Sequence, residues 1–74
     1  MSKTIADLLK GETGKIERFP VDEIPMKLIE MGCIPGNEVT IIQKSFANGP
    51  LYIQINESFL AIRKKVAEKI ALAG

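Results

Sequence analysis

The hydrophobic positions of this chain change period several times, and each change marks the edge of an element. Leu51, Ile53 and Ile55 form a period-two stripe with Tyr52, Gln54 and Asn56 opposite, the pattern of a half-buried strand. Lys15–Phe19, the β-branched run Glu38–Lys44, Phe59–Arg63 and Lys69–Leu72 are read the same way. Ile24, Leu28 and Met31 instead fall at spacings of four and three, on one face of a helix. Asp22 is a candidate cap for that helix, and Pro25 is tolerable in its first turn. Glu23 and Lys27 are set for an i,i+4 pair, and Gly32 suits a left-handed end.

The punctuation is equally legible. Thr4–Lys10 reads as a short helical turn capped by Ser2 or Thr4, with Ile5, Leu8 and Leu9 on one side. Gly11 stops it and Gly14 marks a second turn. Pro35–Gly36 has the residues of a type II turn, because Pro presets the first central φ and Gly supplies a positive second one. Phe46–Pro50 is a loop, Asn56–Ser58 a hairpin turn, and Lys64–Lys69 one helical turn. The chain is thus expected to be mainly β with short helices. Residues 1–74 would form one domain, a small, strongly bent antiparallel barrel of about five strands with one inserted helix.

Composition narrows the chemistry. Eleven Ile, six Leu, three Val and three Phe among 74 residues lie well above the roughly 20% floor of disordered chains. Without Trp, and with one Tyr, the core must be aliphatic. A single Cys allows no internal disulfide, and without His both the usual near-neutral acid–base group and the commonest transition-metal ligand are missing. No carboxylate spacing suggests a dyad. No leader-like or membrane-length apolar run is present, so a cytoplasmic, non-enzymatic protein is expected. The net charge of +1 hides an excess of cations at Arg63, Lys64, Lys65 and Lys69, a modest patch rather than a nucleic-acid stripe.

Several residues remain candidates for contact or chemistry. Cys33 is a possible metal ligand or reactive thiol, but with no second thiol and no imidazole a small buried hydrophobe is the favoured reading. Arg63 and Lys64 suit phosphates, an acidic partner or a solvated strand end; Arg63 acting as an arginine finger on a partner's GTP has little positioning evidence. Tyr52 lies opposite the apolar stripe, and Phe46 is a loop aromatic able to anchor a partner. Met31, Cys33 and Ile34 crowd apolar groups into one tight connection, the kind of patch that marks docking sites.

Taken together the segments resemble the FeoA family. Lys27–Ile42 contains a helix ending Leu28-x-x-Met31-Gly32, then Pro35–Gly36, then a strand with Val39. Gly49–Pro50–Leu51 resembles the family's next turn. Leu60–Lys64 is similar to its Leu-Ala-Leu-Arg-Arg strand and Ala67–Ile70 to its closing segment, while Cys33 stands where Leu is more usual. The resemblance implies an SH3-like barrel and a role in bacterial ferrous iron uptake. The implied partner is the cytosolic GTP-binding region of a FeoB-type membrane transporter, which this chain would dock on and modulate. On this reading Met31, Cys33, Ile34 and Phe46 would make apolar contact, and Tyr52, Arg63 and Lys64 polar contact. No tightly bound cofactor is expected; Fe2+ or another divalent ion enters through the resemblance only. Two alternatives stand beside it: an SH3-like nucleic-acid-binding module, since a Pro-Gly-x-x-Val turn also occurs there, and a weak transition-metal carrier or sensor. An exposed edge strand would offer a route to self-association.

Overall fold

The computed structural model describes residues 3–73. Six strands, β1 (Lys3–Thr4), β2 (Thr13–Arg18), β3 (Glu38–Lys44), β4 (Leu51–Ile55), β5 (Ser58–Ile62) and β6 (Ala71–Leu72), pair antiparallel in the order β1-β6-β2-β3-β4-β5. Two short helices, α1 (Met26–Glu30) and α2 (Lys64–Ala67), and two 3-10 turns, Ile5–Asp7 and Val21–Glu23, fill the connections.

The sheet curls because β2 serves two neighbours. Its first half pairs with β3 (Thr13↔Thr40, Gly14↔Val39, Lys15↔Glu38) and its second half with β6 (Ile16↔Leu72, Arg18↔Ala71). Gly14, expected at a turn, sits inside this strand for a packing reason. A Cβ there would lie 2.7 Å from Leu72 Cδ1, so the missing side chain lets β6 cross close over the bend. One cluster of buried aliphatic side chains fills the barrel, built on Ile5, Ile16, Val39, Ile41, Ile53, Ile55 and Ile70, with no buried polar or charged residue among the described residues.

The strands expected over Glu38–Lys44, Leu51–Ile55 and Phe59–Arg63 appear with shifts of at most one residue, and the stripe Leu51, Ile53, Ile55 is buried. The sixth strand, β1, is two residues long and exists only through its pairing with β6. Its neighbour, the Ile5–Asp7 turn, is capped by Thr4, whose N–H and hydroxyl both donate to Asp7 Oδ2 (2.9 and 3.2 Å). The alternative cap, Ser2, lies outside the described residues. Ile5 and Leu8 are buried as expected, but Leu9 is 63% exposed, because the chain turns extended at Leu8 and carries the next side chain outward.

The helix before Gly32 is shorter than its periodicity suggests. Proline disfavours helical backbone in the residue before it. Ile24 is accordingly extended (φ −108°, ψ 129°), and the segment splits into a 3-10 turn and α1, with Pro25 at the cap position and Asp22 inside the 3-10 turn. The split also redirects Glu23, which pairs with Lys69 Nζ at 2.7 Å rather than with Lys27. The exit from α1 is a Schellman arrangement: Cys33 N–H donates to Leu28 O (2.9 Å) and Gly32 N–H to Ile29 O (3.1 Å), with Gly32 at φ +111°. Pro35–Gly36 follows as the anticipated turn, with Asn37 N–H donating to Ile34 O (3.2 Å) and Gly36 at φ +98°. Ile16 pins that turn to β2 through both its N–H (to Asn37 O, 2.9 Å) and its carbonyl (from Gly36 N–H, 2.8 Å).

Candidate functional site

The residues singled out from the sequence separate onto three parts of the surface and one part of the core. Cys33 belongs to the core. It is 0% exposed, at the position after a Schellman turn where an apolar side chain packs back on the helix's last turn, here Leu28. Burial pushes its thiol up to about 11, so it is not a ready thiolate, and a fully buried side chain, unlike the expected apolar contact, meets no partner at the surface. Among the described residues no three His, Cys, Asp or Glu side chains converge as a metal site would need. The donor set therefore does not fit a resident metal.

Phe46, Arg63 and Lys64 mark one region. The loop after β3 closes through Ser45 N–H to Pro50 O (3.2 Å) and Gly49 N–H to Phe46 O (3.1 Å), with Ala47 at φ +56°. This compact closure leaves no room inside for a large side chain, and Phe46 is 99% exposed. Beside the loop, a groove lined by Asn48, Pro50, Arg63, Lys64, Lys65 and Glu68 runs along the start of α2. Lys64 Nζ donates to Asn48 Oδ1 at 3.5 Å, a long bond that ties loop to helix. The result is a loop that exposes an aromatic ring and borders, through Asn48 and Pro50, a groove with three cations and one carboxylate.

Tyr52 occupies the outer face of the sheet. Alternation from Ile53 and its partner Leu60, which point inward, places Tyr52, Phe59 and Ala61 outward. Ile42 joins them by the same alternation from the buried Val39 and Ile41, and the β3–β4 register slips between Ile41 and Gln43, a bulge that leaves Ile42 without a partner on β4. Phe59, 67% exposed, stands on the strand next to that of Tyr52, across from Gln54. The bulge at Ile42 carries no sequence signal, since Ile41–Ile42 reads as continuous strand. A second groove separates β5 from α1, lined by Lys27, Leu28, Met31, Phe59, Leu60 and Ala61. Met31 is thus half-buried on this groove, while Ile34 is exposed in the turn after it.

The small, bent antiparallel barrel with a helix inserted before β3 is an SH3-like barrel. The sequence profile of the FeoA domain family matches residues 3–73, and the chain belongs to that family. Among solved structures, it is similar to the iron(II) transport protein A of Clostridium thermocellum (27% identity, TM-score 0.80, covering 95% of this chain and 44% of that one). It is also similar to the zinc complex of FeoA from Stenotrophomonas maltophilia, described as a prokaryotic SH3 domain protein (25% identity, TM-score 0.79, covering 96% and 89%). A manganese-bound, manganese-dependent transcriptional repressor shares the fold at 12% identity and TM-score 0.83, over 96% of this chain and 36% of that one. No curated protein sequence matches. No described helix is long and apolar enough to cross a membrane.

Proposed function

We propose that this protein is a non-enzymatic, cytoplasmic accessory of ferrous iron uptake, a single domain that docks on the cytosolic GTP-binding region of a FeoB-type transporter and modulates it. Membership of the FeoA domain family across residues 3–73 carries the reading. The Stenotrophomonas relative, described in terms of ferrous iron transport activation, supports it. The docking surface is the groove between the Phe46 loop and α2. An exposed ring on the loop, with Arg63, Lys64 and Lys65 lining the groove beside that loop's Asn48 and Pro50, has the chemistry of an interface anchor with a charged surround. Tyr52, Met31 and Ile34 lie on other faces and are secondary contacts in this reading. The carboxylate of Glu68 among the three cations favours a protein partner over a phosphate backbone, where it would face like charge.

The test is titration of isotope-labelled protein with the transporter's soluble cytosolic domain. Resonances of Phe46, Asn48 and Arg63–Lys65 are expected to move. Unchanged spectra at several hundred micromolar partner would end the proposal.

A further inference from the structure

The geometry of β5 points to a second function for this surface: we infer that two copies of the chain associate by pairing their β5 strands antiparallel about Leu60. It rests on the backbone edge of β5 rather than on the Phe46 loop, and shares only Arg63 with the transporter reading, so Glu57→Arg and Ala61→Pro test it without touching that groove.

Three observations carry it. First, β5 pairs only with β4, and among the described residues its other edge has no backbone partner. Natural edge strands are commonly guarded by charge, proline or extreme shortness. The opposite edge, β1, is two residues long and includes Lys3, whereas Ser58-Phe59-Leu60-Ala61-Ile62 has neither charge nor proline over five residues. Second, β4 and β5 are joined by a two-residue loop with Ile55↔Ser58 as the closing pair. The alternation of an antiparallel ladder then turns the backbone groups of Phe59 and Ala61 toward the open edge. A two-fold axis at Leu60 pairs Phe59 with the partner's Ala61, and Ala61 with the partner's Phe59, using all of those groups.

Third, the same register matches the charges at the two ends of the strand. With Leu60 on the axis, Glu57 stands across from the partner's Arg63, and Arg63 from the partner's Glu57. Both residues are exposed, Glu57 in the hairpin turn just before β5 and Arg63 immediately after it. Moving the axis by one residue in either direction loses this pairing. A groove between β5 and α1, with Met31 and Leu28 on its wall, also borders Phe59, Leu60 and Ala61. The contact involves one five-residue strand and its flanks, so affinity on the order of 10–100 μM is expected for so small an interface.

Sedimentation velocity across a concentration series reads the outcome. The native chain should move from 8.1 kDa to twice that mass between micromolar and millimolar concentration. Ala61→Pro removes an edge-facing N–H while sparing the β4 ladder, and should stay monomeric throughout. Glu57→Arg and Arg63→Glu should each weaken the dimer roughly tenfold by setting like charges opposite each other, and the double exchange should recover it. A native chain that remains monomeric near millimolar concentration overturns the inference. So does a dimer indifferent to Ala61→Pro, or a double exchange no tighter than the singles. Should Ala61→Pro fail to fold, the charge-exchange set decides alone.

Discussion

Asn37 reaches back over the turn and donates its side-chain amide to the carbonyl of Gly32 at 2.7 Å. That bond joins the end of α1 to the start of β3 and holds the Pro35–Gly36 turn between them. The same carbonyl also accepts from Ile34 N–H at 2.8 Å, so two donors fix the chain as it leaves the helix.

Gly32 itself cannot be replaced cheaply. At φ +111° a side chain is strained, and a Cβ would meet Ile55 Cγ2 at 3.2 Å and Asn56 Nδ2 at 2.5 Å. The Asn56 amide can swing away, but the Ile55 methyl belongs to the core. Gly32→Ala should cost about 1–3 kcal/mol, and Asn37→Ala about 1 kcal/mol, in urea unfolding. In a domain of this size each kcal/mol lowers Tm by roughly 4–8 °C.

Two lysine contacts of similar appearance should differ in worth. Lys44 Nζ donates to the carbonyls of Ala6 (3.2 Å) and Leu8 (3.0 Å) in a partly buried site, holding the N-terminal turn against the end of β3. Lys44→Met leaves both carbonyls without that donor and should cost about 1–3 kcal/mol. Lys69 pairs with Glu23 at a shorter 2.7 Å, but both side chains are about half exposed. Lys69→Met should cost less than about 1 kcal/mol. Parallel thermal melts of the two variants give the comparison, and equal losses would contradict it.

Cys33 links stability to alkaline pH. Burial raises its thiol from an ordinary 9.0 to about 11, so the unfolded chain gives up the proton at lower pH than the folded one. The stabilising contribution is full below pH 9 and is lost as pH rises toward 11, amounting to on the order of 2 kcal/mol. Urea unfolding at pH 7.5 and 10.5 should show this loss in the native chain beyond whatever loss Cys33→Ala shows. Iodoacetamide at pH 8 should label the unfolded protein and leave the folded one unmodified over the same interval.

Phe46 should separate binding from stability. With the ring almost wholly in solvent, Phe46→Ala should leave the unfolding free energy within about 0.5 kcal/mol. The same change should weaken binding to the transporter's soluble domain by tenfold or more, as loss of an interface anchor does. Calorimetry of that titration and a thermal melt provide the two readouts.

Much of this was readable from local pattern. The stripe Leu51–Ile53–Ile55, the β-branched run of β3, the turn at Pro35–Gly36 and the helix end at Gly32 are dictated by side-chain period and backbone preference, which act over a few residues. The motifs around Gly32, Pro35–Gly36 and Leu60–Lys64 also sufficed to place the family. What depended on partners distant in the chain came only from the tertiary structure. Gly14 is a strand residue because Leu72 packs where its Cβ would be, and Glu23 turns to Lys69 because the fold brings β6's approach alongside it. Gln43 rather than Ile42 pairs with Tyr52 because β3 slips against β4. The free edge of β5, with Glu57 and Arg63 at its two ends, likewise follows from which strands found neighbours: pairing is a long-range property, and no local period encodes which strand is left on the outside.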